Sequence, residues 1–223
     1  GGRVGIRYSD RAGAKVYRAA TGNVESTGSA PVELAEGVSA DAAPKKKPKG
    51  SGFGKAGTRS AAQSAAAVQA AGALIATLPA DAAVCFTDGA CKGNPGPAGA
   101  GAVVRLPDGR VLERSLALGQ GTNNVGELSA IGLAMDVLDD ADVPAGTAVH
   151  ILTDSQYCNG VLVQGWKAKA NQALITEVKA KLARRETEIH WIAGHVGVAD
   201  NERADALANA GVDASRAGRR GVV

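Results

Sequence analysis

The chain has 223 residues, which is enough for one ordinary domain with an appendage or for two small domains. Its charge is uneven, because residues 1–80 carry 11 Lys and Arg against 5 Asp and Glu, whereas residues 81–223 carry 14 against 17. No apolar stretch of about 18 residues, no secretory signal and no disulfide or zinc pattern among the cysteines is found, so we expect a soluble protein of the reducing cytoplasm without a membrane partner.

The first 80 residues form three segments of different composition. Residues 1–43 alternate weakly between apolar and polar positions, which favours a β-hairpin in a small region of unknown fold. Residues 44–60 combine proline, glycine and lysine and are expected to form a basic flexible linker, either a solvated tether or a segment that attracts phosphates. Residues 61–80 are rich in alanine and predict a helix that ends at Pro79 and packs against the following domain.

Residues 81–213 alternate between strand and helix patterns and are expected to form the main domain. The predicted order is βββαβααβα, which favours an α/β fold with a mixed five-stranded sheet flanked by helices, preceded by the basic N-terminal extension. Residues 214–223 are expected to form a basic tail. The predicted strands are 84–88, 101–106, 111–116, 147–153 and 187–193, and the predicted helices are 124–140, 155–164, 172–185 and 201–211.

Two of the predicted strands end on the same residue pair. Asp88 follows Thr87 at the end of one strand, and Asp154 follows Thr153 at the end of another. If the two strands are parallel neighbours, both carboxylates emerge at the carboxyl edge of the sheet, where open α/β sheets bind ligands. Two acids so close repel each other unless a cation lies between them, so the pattern indicates a divalent-metal site.

Two further carboxylates lie on helix faces that should pack inward. Glu127 shares a stripe with Ile131, and Asp205 shares one with Ala208. Each has an ordinary alternative when taken alone: Asn124 and Glu127 have capping-box spacing, Asp205 can pair with Arg203, and Asp88 next to a glycine can form a turn. Four such coincidences are less probable than one site, so we expect Asp88, Glu127, Asp154 and Asp205 to bind metal together.

These residues also predict the kind of metal and the kind of reaction. Oxygen ligands without a cluster of thiolates or imidazoles suit Mg²⁺ or Mn²⁺. Two such ions held by carboxylates activate water and stabilise the leaving oxygen in phosphodiester hydrolysis. His195 lies on a glycine-flanked loop before the last helix, where an imidazole can move a proton. His150 and His190 fall within predicted strands and are interpreted as structural.

Five motifs resemble those of the type 1 ribonuclease H family and occur in the family's order. The resemblance covers about residues 82–212 and implies the ribonuclease H-like fold. It also implies an endonuclease that cuts the RNA strand of an RNA–DNA hybrid with two ions bound, leaving 5′-phosphate and 3′-hydroxyl ends. We expect the protein to act as a monomer. The motifs are Thr87–Gly99, Thr122–Leu128, Thr153–Tyr157, Gly194–Gly197 and Asn201–Ala208.

The resemblance also implies individual roles. Asp88, Glu127, Asp154 and Asp205 match the metal ligands, and His195 matches a mobile proton carrier. Residues matching contacts to the hybrid are Gly89, Cys91, Asn94, Asn123, Asn124 and Gln156. The amides among them separate this function from its alternatives, which are a hybrid-binding module without turnover and another nuclease or strand-transfer enzyme on the same fold.

The chain departs from some relatives in the segment 165–171, which is short where they carry a long basic protrusion. Trp166 either packs in the core or forms a platform beside the DNA strand, with Lys167, Lys169 and Asn171 contributing further contacts. The basic residues 1–60 can supply the phosphate attraction that the acidic domain lacks.

Overall fold

A computed structural model describes the backbone of residues 3–6 and 17–20 and the whole of residues 60–194 and 197–223. The chain divides into two units, residues 1–55 and 56–223. In the first, β1 (Arg3–Ile6) and β2 (Tyr17–Ala20) pair in antiparallel fashion, as the alternating pattern predicts for a hairpin. The predicted linker, residues 44–60, lies outside the described residues except for Ser60.

The second unit contains a six-stranded sheet and five helices among its described residues. The strands are β3 (Ala83–Cys91), β4 (Gly96–Arg105), β5 (Val111–Gly121), β6 (Val149–Thr153), β7 (Thr187–Trp191) and β8 (Gly221–Val222). The helices are α1 (Ala61–Thr77), α2 (Asn123–Asp140), α3 (Gln156–Leu162), α4 (Gln172–Leu182) and α5 (Ala199–Arg216). No helix in the described part of the chain is long and apolar enough to cross a bilayer.

The sheet has the order β7-β6-β3-β4-β5-β8 and is mixed, as predicted. Strands β3, β6 and β7 are parallel neighbours, and the pairings among β3, β4, β5 and β8 are antiparallel. The prediction of five strands is corrected to six, because β8 pairs with the outer edge of β5 through Leu116 and Val222. A two-residue strand is too short to show a periodic pattern in the sequence. Its pairing with the edge of β5 is visible only in the structure.

Strand β4 begins earlier than predicted, within a stretch interpreted from the sequence as a Gly/Pro-rich connection. Its small residues serve helix packing rather than chain reversal, since α5 crosses β4 at very short distance. A Cβ atom at Gly101 would lie 2.2 Å from the carbonyl oxygen of Ala204 on α5. The glycine-rich composition therefore obscures the start of β4 in the sequence, and the same composition allows α5 to pack on the strand.

Successive residues of β3 face opposite sides of the sheet, and each side has its own core. Cys85 belongs to the cluster formed with α2, whose Leu128, Ile131 and Leu138 are fully buried. Phe86 belongs to the other cluster, which is covered by α1 and α5. Helix α1 contributes Ala71, Leu74 and Ile75 to this second cluster, so the Ala-rich helix packs against the sheet as predicted.

Candidate active site

Strands β3 and β6 are parallel neighbours in which Thr87 is paired with Thr153. Asp88 and Asp154 directly follow this pair, so the two residues are neighbours. The prediction that both acids end their strands holds only for Asp154, which follows the last residue of β6, since β3 continues past Asp88 to Cys91. Asp88 is only 6% exposed, and Asp154 is half-buried. The structure thus brings together the two carboxylates that the repeated Thr-Asp pattern predicts to be adjacent.

Glu127 reaches the same place from helix α2. The hydroxyl of Thr122 accepts a hydrogen bond from the backbone amide of Val125, so Thr122 is the N-cap. The capping box considered for Asn124 and Glu127 is therefore not formed, and Glu127 lies in the second turn rather than the first. Its buried side chain points to the sheet because α2 lies directly against β3. A Cβ atom at Gly89 would lie 2.1 Å from the amide nitrogen of Glu127, so only glycine permits this approach.

Three carboxylates converge at this point. Asp88, Glu127 and Asp154 each offer an oxygen atom, and these atoms all lie within 4.8 Å of one another. Asp205, on α5, is half-buried and lies on another side of Asp88, with which its side chain forms a hydrogen bond. The structure thus gathers a compact group of three carboxylates, with Asp205 adjoining one member.

The surface ion pair considered for Asp205 is not formed with Arg203. The guanidinium of Arg203 instead binds both carboxylate oxygens of Glu113 on β5, at 2.8 and 2.6 Å. Asp205 accepts a hydrogen bond of 3.0 Å from the side-chain amide of Asn209, one turn further along α5. The Asp205 carboxylate is therefore held on the side of α5 that faces the cluster.

Burial and mutual repulsion disfavour the ionisation of all three carboxylates at this site. Burial, followed by the charges of Asp154 and Asp205, raises the pKa of Asp88 from 3.8 to about 8. Burial and the charges of Asp88 and Asp154 also raise the pKa of Glu127 well above its ordinary value. At neutral pH the cluster ionises fully only if a cation offsets the repulsion.

The hydrogen bonding of the Glu127 carboxylate indicates whether a cation fits between the three acids. Oε1 of Glu127 accepts a hydrogen bond of 3.2 Å from the side chain of Asn123, but Oε2 is buried and has no hydrogen-bond partner. A buried carboxylate oxygen without a partner is costly, by about 1–3 kcal/mol or more. An ion held between Glu127, Asp88 and Asp154 removes that cost, and an all-oxygen donor set suits Mg²⁺ or Mn²⁺. The residues present therefore fit a hard divalent cation.

Exposed amides continue from the cluster along the surface. The backbone amide of Asn123 donates to Oδ1 of Asn94 at 3.2 Å, while the Asn123 side chain donates to Glu127. Both asparagines are exposed, and Asn124 next to them is half-buried. Cys91 is half-buried at the end of β3, where its thiol contacts the carbonyl oxygen of Gly93 at 2.7 Å. Asn94 and Asn123 are therefore connected to the carboxylate site by hydrogen bonds.

A second polar and aromatic surface lies on the other side of Asp154. Gln156 and Trp166 border a cavity of about 260 Å³ together with Asn159, Gln164 and Trp191. Trp166 fits the core-packing and the platform interpretation in part. Its ring lies against Gly160, where a Cβ atom would be 2.2 Å from the ring, but the residue is still 48% exposed. Lys167 and Lys169 are exposed beyond it.

Sequence reasoning missed Trp191 as a residue of this site. Its indole N–H donates a hydrogen bond of 3.0 Å to the backbone carbonyl of Asp154, and the ring is 42% exposed. The sequence carried no signal for it, because its position beside Asp154 depends on the register between β6 and β7, which pairs Trp191 with Thr153. Asn171, by contrast, uses its amide within the fold and donates to the hydroxyl of Tyr157 at 3.3 Å.

His195 lies outside the described residues, but its neighbour Gly194 does not. The α-carbon of Gly194 is so close to the Asp154 carboxylate that a Cβ atom there would lie 1.7 Å from Oδ2. The loop that carries His195 therefore passes directly against one of the three clustered carboxylates.

The mixed sheet gathers acidic side chains from a central strand, a neighbouring strand end and two packed helices, and such a donor set can hold divalent cations. The family model described as RNase H matches residues 80–213. The chain belongs to the ribonuclease H family and is an enzyme.

Individual relatives agree with this assignment. The Ribonuclease H of Alkalilimnicola ehrlichii is 41% identical over 143 residues, covering 57% of this chain and 92% of that protein. The N-terminal RNase H domain of a Mycobacterium tuberculosis protein is similar in structure, with a TM-score of 0.52, 32% identity and coverage of 61% and 96% of the two chains. LC11-RNase H1 in complex with an RNA/DNA hybrid has a TM-score of 0.52 at 28% identity, covering 60% and 99%.

Replacing Gly194 by alanine is expected to displace the Asp154 carboxylate, because the added methyl group would overlap Oδ2. A displacement of about 1 Å at a reacting centre costs about a hundredfold in rate, so we expect a loss of that order in hybrid cleavage. Initial rates on a labelled RNA–DNA duplex measure the loss.

Gly146→Ala is the matched control, since nothing lies within 4 Å of a Cβ atom at Gly146. It should cleave at the wild-type rate. Equal rates for the two variants would show that Gly194 does not constrain Asp154. Circular dichroism of each purified variant checks that both remain folded.

The metal-free protein is expected to lose stability as pH rises. The Asp88 carboxyl has a pKa of about 8 in the folded chain against its ordinary value of 3.8, so the folded state binds the proton more tightly. Its contribution is fully present below about pH 4 and is lost as pH rises through about 8. Asp88→Asn removes this titration and should raise the free energy of unfolding near pH 8 by about 1–3 kcal/mol.

Urea unfolding in the presence of a chelator, at several pH values, measures this effect. The exposed Asp81→Asn variant is the control and should follow the wild type. Added Mg²⁺ should stabilise the wild type more at high pH than at low pH. A stability curve of Asp88→Asn that runs parallel to that of the wild type would contradict the raised pKa.

Proposed function

We propose that the protein hydrolyses the RNA strand of RNA–DNA hybrids internally, leaving 5′-phosphate and 3′-hydroxyl ends. Two Mg²⁺ or Mn²⁺ ions bind together with the substrate. The observation that supports this most directly is the convergence of Asp88, Glu127 and Asp154, with a buried Glu127 oxygen that lacks a partner. We further expect a monomer that acts in the cytoplasm.

The four carboxylates Asp88, Glu127, Asp154 and Asp205 hold the ions in this proposal. When bound, such ions make water nucleophilic at neutral pH and neutralise charge that develops on the phosphate. The chain itself fixes the ligands. Asn123 orients Glu127 through a hydrogen bond, Gly89 gives Asp88 its backbone donor at 2.8 Å, and Trp191 holds the backbone of Asp154.

His195 is assigned the movement of a proton at the leaving group. Its ring has a near-neutral pKa as a free side chain, which suits that task. Support for the placement comes from Gly194, the preceding residue, which lies against the Asp154 carboxylate. The imidazole is thus carried by a loop adjacent to the cluster.

Substrate choice is assigned to the surface amides. A hybrid differs from duplex DNA by the 2′-hydroxyl groups that line its wide minor groove, and short amides can both donate to and accept from them. Asn94, Asn123 and Gln156 are exposed on either side of the carboxylates, with Asn124 beside them. Contacts to the groove and backbone carry little sequence information, so cleavage is expected at nearly any sequence.

The DNA strand is assigned to the side of Trp166, Lys167 and Lys169. Trp166 presents an exposed ring and the two lysines present exposed charges. Asn171 lies beyond them and supports this segment through its bond to Tyr157. Cys91 and the backbone around Gly89 are assigned to the contacts beside Asn94. The similar LC11-RNase H1, solved with an RNA/DNA hybrid, supports the choice of ligand.

A binding module without turnover and a strand-transfer enzyme are the alternatives. The first would lose at least one carboxylate, whereas all four are present in this chain. The second needs the carboxylates but not the amides at Asn94, Asn123, Asn124 and Gln156. The combination of both sets favours the hybrid-specific hydrolase.

With Mg²⁺ present, the protein is expected to cut the RNA of an RNA–DNA duplex and to spare a DNA–DNA duplex of the same sequence. Asp88→Asn should lower the rate by at least about a thousandfold, because a lost metal ligand removes several kcal/mol of transition-state stabilisation. Hybrid binding should survive. Gel assays of labelled duplexes with and without chelator measure the substrate preference and the cleavage rate. Fluorescence anisotropy measures hybrid binding.

Asp81→Asn serves as the control and should keep full activity, since Asp81 is exposed and does not belong to the carboxylate cluster. Equal cutting of both duplexes would reject the substrate assignment. A fully active Asp88→Asn variant would instead reject Asp88 as a ligand, so the two failures are distinguishable.

Removal of residues 1–55 is expected to weaken hybrid binding and to flatten its salt dependence. This boundary keeps Ser60, whose hydroxyl caps helix α1. Each lost phosphate contact should reduce the slope of log affinity against log salt by about 0.9, because fewer counterions are released. Binding titrations at several salt concentrations measure the slope.

A second variant, in which Lys45, Lys46 and Lys47 become glutamine, separates the linker charge from the rest of the extension. It should show part of the same loss. An unchanged slope in both variants would show that the extension does not contact the hybrid.

A further inference from the structure

A second group of potential metal ligands lies away from the carboxylate site, on strands β6 and β7. His150 on β6 is paired in register with Glu188 on β7, and His190 follows Glu188 by two residues. Paired residues of neighbouring strands, and residues two apart on one strand, face the same side of a sheet. The register alone therefore brings two imidazoles and a carboxylate together.

The distances within this group are short. Nδ1 of His150 lies 3.0 Å from Nε2 of His190. Oε2 of Glu188 lies 3.7 Å from the first nitrogen and 3.6 Å from the second. In a tetrahedral site with bonds of about 2.0–2.1 Å, neighbouring ligand atoms are about 3.3 Å apart. The three atoms thus form a triangle of nearly the size that one ion requires.

The donor set differs in kind from that of the carboxylate site. Two histidines and one glutamate, with the fourth position left for water or another ligand, are a set that binds Zn²⁺. Imidazole nitrogen favours zinc and its neighbours in the transition series over Mg²⁺. The two sites should therefore select different ions.

The surroundings provide both rigidity and access. His150 is 8% exposed and fixed between β3 and β7, while His190 is half-buried and Glu188 is exposed on the edge strand. A groove of about 820 Å³ runs along this edge and is bordered by Glu188 and His190, with Lys179 on its α4 side. An ion can reach the group from solvent without any rearrangement of the sheet.

We propose that His150, Glu188 and His190 form a second metal site, which binds one Zn²⁺ or a similar transition-metal ion and joins β6 to the edge strand β7. His150 lies on β6, four residues before Asp154, which directly follows the strand, and this spacing corresponds to about 13 Å. The ion is thus separate from those of the catalytic centre. Because it binds only the folded arrangement of the two strands, it stabilises the folded state by an amount that grows with the logarithm of the free ion concentration above its Kd.

Binding of Zn²⁺ to the full chain, stripped of metal and then kept in excess Mg²⁺, tests this proposal by isothermal titration calorimetry. One Zn²⁺ should bind per chain and raise the melting temperature. The ¹⁵N resonances of the His150 and His190 rings should shift on binding. The zinc affinity of His190→Gln should fall by about a hundredfold, since changes around a metal ligand already cost tens of fold.

Matched variants separate this site from others. Glu188→Gln, on an exposed side chain that does not threaten folding, should also weaken binding, whereas Glu186→Gln, two residues away and exposed, should not. Asp154→Asn should bind Zn²⁺ like the wild type, because it alters only the catalytic centre. Absence of zinc binding, wild-type affinity in both His190→Gln and Glu188→Gln, or loss of binding in Asp154→Asn would overturn the proposal.

Discussion

The repulsion among Asp88, Glu127 and Asp154 is the constraint around which the structure is organised. Three carboxylate oxygens within 4.8 Å, two of them on buried side chains, destabilise the metal-free fold. The raised pKa of Asp88, about 8, expresses the same cost as a preference for the protonated form. Two hydrophobic clusters, one on each face of the sheet, hold the backbone in place against this repulsion and make the oxygens available as preformed ligands.

Close backbone approach is the means by which the fold assembles the site. Helix α2 can bring Glu127 to β3 only because position 89 has no side chain. Helix α5 brings Asp205 to the opposite side of Asp88 by crossing the glycine-rich strand β4, and the loop before His195 meets Asp154 at Gly194. Small residues therefore determine the geometry of the charged ones, and substitutions at these glycines are expected to displace the carboxylates without replacing any of them.

Much of the architecture follows from local patterns in the sequence. Alanine-rich composition located helix α1, and helix patterns in residues 81–213 located α2, α4 and α5. The repeated Thr-Asp pattern correctly indicated that Asp88 and Asp154 are brought together by parallel strands. Such patterns succeed because burial of one helix face or of a whole strand is recorded in consecutive residues. Strand β8 and the early start of β4 were not predicted. The first depends on pairing with a distant strand edge and the second on packing against a distant helix, and neither leaves a periodic signal in the sequence.

The sequence by itself determined the residue types, namely an oxygen-only set of acids, the amides that accompany them and the family motifs that order them. Only the tertiary structure decided which side chains meet. It placed Thr122 rather than Asn124 at the helix cap, paired Arg203 with Glu113, and brought Trp191 under Asp154. It also turned His150 and His190, which the sequence marks only as strand residues, into a group with Glu188. The physical reason is strand register, which is set by contacts between distant segments and is invisible in either strand alone.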